Sequence, residues 1–324
     1  MKDVLLGIDI GGTKLAGGLV TREGQLVEFQ SEATQRGLRA GLGQVVGMIT
    51  RLLEHAGGKR NVAGIGVSAP GPLDPRRGFI MNPPNLPGWR NVPLGPRIQR
   101  QFGLPTRVEN DANAAGLAEV MFGAARGCRD VFYATVSTGI GTGIIIDRKI
   151  YHGKNGVAGE GGHVSIDCRS SLRCGCGTHG CVEALASGPA MARQARTRLE
   201  QEPGAGAALR ALVQDNLDSV TAETIATAAR AGDALSKSVI NETAFYLSVW
   251  LASMINLFDP EAVVIGGGVA RIGRPLFQKI RQTVRRQAYI LRRIHARPTP
   301  ILPAKLDTRV GVFGAASLFL AKPK

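Results

Sequence analysis

The sequence predicts an α/β protein built from two related halves with a cleft between them. Three observations lead there. Apolar strand-like runs alternate with amphipathic helical stretches along the chain. A strand, a glycine turn and a second strand open the sequence at positions 4–20, and the same succession returns at 131–147. The 43 glycines among 324 residues are spread out rather than periodic, which suits many tight βα and ββ loops and excludes a collagen-like or disordered chain.

The elements follow in order. Val4 to Ile10 reads as a buried strand, and Leu15 to Val20 and Leu26 to Gln30 as two more, with turns at Gly11-Gly12 and Glu23-Gly24. Leu42, Val45, Val46, Ile49, Leu52 and Leu53 recur at helical spacing, so 41–55 is an amphipathic helix. Val62 to Val67 is a strand that ends at Ser68-Ala69-Pro70-Gly71, and a proline-rich loop follows. Leu94 to Phe102 reads as a helix and Thr106 to Glu109 as a strand.

In the second half, Val131 to Val136 is a strand, Gly139 to Gly143 a turn, and Ile144 to Asp147 a strand. A glycine- and cysteine-rich segment covers 153–181. Helices dominate from Glu183 to about Phe258. Ala262 to Ile265 is a strand before Gly266-Gly267-Gly268; 275–288 is a helix, 294–303 a strand region, and 311–320 a last helix.

Bulk properties narrow the class. Hydrophobic residues make up 44% and charged residues 20%, enough for a sizeable core. The formal net charge is +15, with 30 Arg against 10 Lys. Because these charges are dispersed, they read as solvated surface rather than as a nucleic-acid footprint. The densest run, Arg281, Arg285, Arg286, Arg292, Arg293 and Arg297, reads as a polar helix face and its exit loop. The opening stretch is too short and too interrupted for a signal peptide, and no window of about 18 apolar residues exists, so a cytoplasmic protein is expected. In a reducing compartment, three of the five cysteines lying close in sequence suggest metal before disulfide.

Asp9-Ile10-Gly11-Gly12-Thr13-Lys14 is a near miss for a P-loop. Gly7 and Gly12 have the spacing, but Thr13-Lys14 stands where Lys-Ser/Thr is required, and a strand follows instead of a helix. It is therefore a hairpin turn. Its glycines expose N–H groups to a polyanion, Thr13 adds a hydroxyl, and Asp9 can hold Mg²⁺ through water. An ordinary hairpin turn would look the same. Ser137-Thr138-Gly139-Ile140-Gly141-Thr142-Gly143 is a second such turn, and the pair could grip a phosphate chain. Gly266-Gly267-Gly268 could admit an adenine or ribose. Gly64-Ile65-Gly66-Val67-Ser68-Ala69 fits a dinucleotide fingerprint by letter. Pro70 and Pro72 follow, so no helix can start there to hold a pyrophosphate.

Glu109-Asn110-Asp111-Ala112-Asn113 ends a strand and opens a helix, where Asn110 or Asp111 can be the N-cap. A carboxylate there can also take a proton from an alcohol as it attacks phosphorus, with the neighbouring amide orienting a sugar hydroxyl. Glu160-Gly161-Gly162-His163 and Cys174-Gly-Cys176-Gly-Thr-His179-Gly-Cys181-Val-Glu183 supply one imidazole and three thiolates, a closed tetrahedral zinc set and hence structural. Cys168 and His179 are rival ligands by spacing.

These motifs, spanning Val4 to about Leu320, resemble the ROK family of repressors and sugar kinases. The resemblance implies an actin-like ATPase fold of hexokinase type, ribonuclease H-like. It implies a small domain, 1–110, completed by a helix at 311–324, and a large domain, 111–310, with a zinc loop at 153–183. It implies transfer of a phosphoryl group from ATP–Mg²⁺ to a hexose, first of all the 6-hydroxyl of glucose. Asp111 is then the base. Gly71, Asn110, Glu160, His163 and Glu183 contact the sugar. Asp9, Gly11, Gly12, Thr13, Lys14, Thr138, Gly139, Gly141, Gly266, Gly267 and Gly268 hold ATP. His163, Cys174, Cys176 and Cys181 bind zinc, which decides against Cys168 and His179. A homodimer or homotetramer is expected, without nucleic-acid or membrane partners. The alternatives are an N-acetylmannosamine or N-acetylglucosamine kinase, a polyphosphate-using glucokinase, and a non-catalytic sugar sensor. The last is disfavoured because the phosphate turn begins at Asp9, ahead of which no DNA-binding domain fits.

Overall fold

The computed structural model describes residues 4–294 and 297–320. Its first sheet is formed by β1 (Val4–Ile10), β2 (Lys14–Thr21), β3 (Leu26–Ala33), β4 (Val62–Ala69) and, after a small β5 (Leu73–Asp74)–β6 (Phe79–Ile80) hairpin, β7 (Thr106–Asn110). The strand order is β3-β2-β1-β4-β7; β1 runs antiparallel to β2 and parallel to β4. α1 (Leu38–His55) links β3 to β4, and α2 (Leu94–Phe102) precedes β7. α1 buries Val45, Met48, Ile49 and Leu52, each contributing about 1.5–3 kcal/mol by leaving water.

α3 (Asp111–Met121) leaves β7 directly, and α11 (Val310–Ser317) packs on the same sheet. The sheet accepts α11 because two strand residues lack side chains. A Cβ on Gly7 would lie 2.2 Å from the Val312 carbonyl oxygen, and one on Gly66 1.8 Å from that of Ala315. Gly314 of α11 likewise sits against the Ala114 backbone of α3, where a Cβ would come within 2.6 Å. The glycines whose spacing evokes nucleotide-binding loops are thus the seat of a helix. α11 is shorter than the expected last helix, and the part of that expectation at 321–324 lies outside the described residues.

The second sheet contains β8 (Val131–Val136), β9 (Ile140–Ile146), β10 (Lys149–Ile150), β11 (Ala262–Gly266) and β12 (Ile301–Pro303), in the order β10-β9-β8-β11-β12. The helices α4 (Val182–Ala186), α5 (Gly188–Gln201), α6 (Ala207–Leu212), α7 (Ala222–Arg230) and α8 (Ala234–Phe258) fall between β10 and β11. α9 (Arg274–Gln287) and α10 (Tyr289–Arg293) precede β12. α8 starts on the Asp233 side chain, which accepts the Ser236 N–H at 2.8 Å, and ends at left-handed Asp259 before Pro260. The strand expected over 294–303 shrinks to three residues, because α10 takes up the region before it. The arginine run lies on the exposed side of α9 and α10, while Arg281 donates to the Ile301 carbonyl.

By chain contacts the molecule divides into two compact units. One holds Met1–Tyr133, Gly143–Gly159 and Ala304–Lys324; the other holds Ala134–Thr142 and Glu160–Pro303. Among the described residues no helix is long and apolar enough to cross a membrane.

Candidate active site

In the first unit, parallel pairing sets Asp9 of β1 beside Ser68 of β4. The Ser68 hydroxyl donates to Asp9 Oδ1 at 2.6 Å. Burial pushes the Asp9 carboxyl above the usual range, against the Ser68 hydrogen bond and the Lys14 charge. No larger residue fits opposite: a Cβ on Gly311 would lie 2.2 Å from this carboxylate. The turn that follows, Gly11 to Thr13, is closed by Gly11 N–H to the Lys14 carbonyl at 2.8 Å. Among the described residues the N–H groups of Gly12 and Thr13 have no protein acceptor. Two successive unpaired N–H groups form a nest for an anion. Neither Gly11 nor Gly12 has positive φ. Gly12 is glycine because a Cβ would lie 2.8 Å from the Asn85 carbonyl oxygen. Lys14 stands at the head of β2 with its ammonium 5.5 Å from the centre of the Phe29 ring.

β7 turns straight into α3 at Asn110 and Asp111. Asn110 is the N-cap: its Oδ1 accepts the N–H groups of Ala112 at 2.9 Å and Asn113 at 3.2 Å. Its amide nitrogen hydrogen-bonds the Asp111 carboxyl and lies close to Gly71, where a Cβ would be 3.3 Å away, with a second N–H to spare. One side chain therefore caps the helix and still has a donor to offer. Asp111 accepts the Ala112 N–H at 2.8 Å. Its carboxyl is reachable by solvent yet hemmed in by protein. Burial, aided by the nearby Asp9 charge, raises its pKa to about 6 despite the hydrogen bonds from Ala112, its own backbone and Asn110. It therefore ionises just below neutrality, the range that suits a general base.

Three partners escaped the sequence reading. Ser68 is one. Glu109, buried in β7, is another: its Oε1 accepts the Asn110 N–H at 2.9 Å and the Asn113 amide at 3.1 Å. Its Oε2 meets His152 Nε2 at 2.6 Å, which brings in the third. A buried acid beside the Asn110-Asp111 pair was the available signal for Glu109. Nothing local marked His152.

In the second unit, β9 begins at Ile140, so the turn is only Ser137 to Gly139. Gly141, expected in the turn, belongs to the strand. The shortening comes from an acceptor invisible in the local sequence: Glu183 Oε2 takes the Ile140 N–H at 2.8 Å. Ser137 N–H closes the turn on the Gly139 carbonyl at 2.8 Å, and the N–H groups of Thr138 and Gly139 have no acceptor among the described residues. This is a second nest. Beside it lies the turn after β11. Gly267 has φ 87° and backs onto the Val136 carbonyl, where a Cβ would come within 2.3 Å; the Cβ position of Gly268 is 3.8 Å from Ser137 Oγ. Gly266 is the last residue of β11.

The ligand atoms of His163, Cys174, Cys176 and Cys181 all fall within 4.8 Å of one another, a group that could hold a metal ion. Cys176 and Cys181 sulfurs are 3.7 Å apart, and Cys174 Sγ is 3.5 Å from His163 Nδ1. Glu183 Oε1 is 3.6 Å from Cys174 Sγ, and Glu160 Oε2 is 3.9 Å from His163 Nε2. Cys168 and His179 are exposed and stand outside the group. The structure thus gathers Asp9, Gly71, Asn110 and Asp111 in one unit. It gathers Thr138, Gly139, Gly267, Gly268, Glu183 and the thiol cluster in the other.

Comparison with known proteins gives the family. Residues 5–322 match the ROK family, and the chain belongs to it. A glucokinase of Streptomyces coelicolor is 35% identical over 313 residues, covering 97% of this chain and 96% of that protein. The crystal structure of a ROK family glucokinase from Streptomyces griseus in complex with glucose and AMPPNP superposes with a TM-score of 0.81 at 36% identity, over 97% of this chain and 98% of the other. A ROK hexokinase from Thermus thermophilus gives a TM-score of 0.81 at 34% identity, covering 97% of each chain.

Proposed function

We propose that this ROK protein transfers the terminal phosphoryl group of ATP to a hexose, with the 6-hydroxyl of D-glucose as first acceptor. The observation that carries the reading is the Asp111 carboxyl, raised to about 6 and open to solvent at the start of α3. Ionised at neutral pH, Asp111 accepts the proton of the attacking hydroxyl. The sugar oxygen bonds to the γ-phosphorus while the bond to the bridging oxygen breaks, and ADP leaves. The Asn110 amide nitrogen and the backbone at Gly71, which lie close together, are the groups proposed to orient that sugar, with Glu160, His163 and Glu183 as further proposed contacts. Of these, Glu183 already has one oxygen engaged by Ile140, so its sugar contact falls to the other.

The paired N–H groups of Gly12 and Thr13, and of Thr138 and Gly139, are the proposed phosphate donors. Gly267 and Gly268 supply the close backbone approach for the nucleoside. Asp9 would hold Mg²⁺ through water, and that dication supplies charge neutralisation on the phosphates. The Ser68 hydrogen bond points the Asp9 carboxylate and favours its ionised form.

Zinc fits the thiol cluster. A tetrahedral ion about 2.3 Å from sulfur and about 2.0 Å from nitrogen implies edges of roughly 3.8 Å for S···S and 3.5 Å for S···N. The observed 3.7 Å and 3.5 Å support that reading. With Cys174, Cys176, Cys181 and His163 Nδ1 as ligands the site is full and structural, and His163 Nε2 stays free towards Glu160. Family resemblance further suggests a homodimer or homotetramer.

A coupled ADP assay tests the whole reading. Glucose, mannose, N-acetylmannosamine, N-acetylglucosamine and fructose are compared, each with ATP and with polyphosphate. The highest kcat/KM is expected for glucose with ATP. Sugar binding without ADP release from any of the five would replace the kinase by a sensor.

A further inference from the structure

A cavity of about 1300 Å³ lies wholly within the first unit, lined by neither Asp9 nor Asp111. Arg76, Arg77, Arg100, Arg107, Lys149 and His152 line it. Its one acid is Glu109, already paired with His152. Among the described residues the four arginines and Lys149 make no ion pair with a carboxylate.

Several of these cations are held in place by other means. Arg76 donates to the Gly153 carbonyl at 3.0 Å. Arg77 lies 4.4 Å from the centre of the Phe79 ring. Arg107 donates to the Leu318 carbonyl and lies 4.9 Å from the centre of the Phe319 ring. Guanidinium groups fixed in this way keep further N–H donors and lose little freedom when an anion arrives. Val108, Leu117, Ile150 and Phe319 add apolar wall. Asp147 acts on Lys149 from a distance, but the gathered like charges still repel one another, and a dianion would relieve them.

We propose that this cavity binds a phosphate-bearing small molecule that acts as an effector of the turn carrying Asp111. The link is short. His152 faces the cavity and bonds Glu109 Oε2, while Glu109 Oε1 holds the Asn110 N–H and the Asn113 amide at the start of α3. A ligand phosphate that draws on His152 alters the acceptor on which this turn rests. The effector role rests on the proposed function of Asp111; the binding does not. The volume exceeds the usual span for small-molecule sites, about 300–1,000 Å³, so a bare phosphate chain and a phosphorylated sugar both fit.

Calorimetry separates the outcomes. Inorganic pyrophosphate and glucose 6-phosphate are titrated separately into the full chain and into an Arg100→Ala/Lys149→Ala variant, with excess glucose and a non-hydrolysable ATP analogue present. Saturable binding with a Kd below about 1 mM is expected in the parent, weakened at least about tenfold in the variant and by added salt. Binding of pyrophosphate identifies a phosphate-chain reader; binding of glucose 6-phosphate alone shows that the sugar is read as well. Equal affinity in parent and variant, or no saturation with either probe, overturns the site. In the ADP assay, the bound probe should change kcat or sugar KM at least about twofold in the parent and not in the variant. Binding with unchanged kinetics overturns the effector role. If the double variant does not fold, Arg77→Ala takes its place. If the chain phosphorylates no sugar, the parent-against-variant difference in binding still decides the site.

Discussion

The turn after β1 and the turn after β8 are the same device set to two tasks. Each spans three residues, follows the first strand of a sheet ordered third-second-first-fourth-fifth, and leaves two successive N–H groups without an acceptor. They differ at one position before the strand end. Asp9 stands there in β1, and Thr135 in β8. They also differ in what fixes them. Both close on their own backbone, but the first is braced by Thr34, which donates to the Gly11 and Thr13 carbonyls, whereas the Ile140 N–H that ends the second is held by Glu183 of α4. The paired N–H groups are repeated and the charge is not. An anion nest at a strand end is generic. The carboxylate beside it, and the second carboxylate whose pKa it raises, set the first turn apart and underlie its proposed role in the chemistry.

The largest test of that asymmetry is Asp111→Asn. Turnover should fall by about 10³-fold with glucose still bound, since general-base contributions run to about 10²–10⁴. Near-normal kcat would return the chemistry to the nests alone. The same variant should be more stable at pH 7. Because folding raises the Asp111 pKa above its unfolded value, the folded state favours the protonated form. That stabilisation is complete below the unfolded pKa and fades as pH rises to about 6, so ionised Asp111 costs stability above that. With solvent access moderating the effect, a Tm gain of about 1–3 °C is expected at pH 7, and little change at pH 4.

Next in size is the metal. Purified chain should carry about one zinc, and Cys176→Ser or a strong chelator should lower Tm by more than about 5 °C. Because Glu183 reaches both the cluster and the second turn, ATP KM should rise too, while the first turn stays intact. A metal-free chain with unchanged Tm sinks the knot.

Asp9→Asn sharpens the charge argument. The acid limb of kcat/KM should have its midpoint near pH 6 in the parent and move lower in the variant, because the Asp9 charge helps raise Asp111. An upward shift would contradict the coupling. Smallest is Glu183→Gln, which keeps an acceptor for Ile140 but removes the charge. ATP KM should change by less than about tenfold, against a larger rise in Glu183→Ala, where the N–H loses its partner.

Much of this was legible in the residues. The strands at 4–10 and 131–136 and the helix at 94–102 match their expected bounds, since each is a short apolar or amphipathic run with clear stops. The four residues that could hold a metal were readable because thiols and imidazole so spaced have few other uses. What escaped was pairing over distance. Ser68 meets Asp9 from 59 residues away, His152 meets Glu109 from 43, and Glu183 meets Ile140 from 43. Periodicity reports which face of an element is apolar and is silent about which polar groups will meet.

The sequence by itself determined the alternation of strands and helices, the two glycine turns and the cluster of three thiols and an imidazole, because these follow from local sterics, side-chain period and ligand chemistry. Tertiary structure alone decided that Gly7 and Gly66 seat a helix instead of a nucleotide, that Asn110 caps α3 while keeping a donor free, and that Asp111 ionises near pH 6. Those outcomes depend on burial and on charges brought close by folding, and a carboxyl group's pKa is a property of its surroundings.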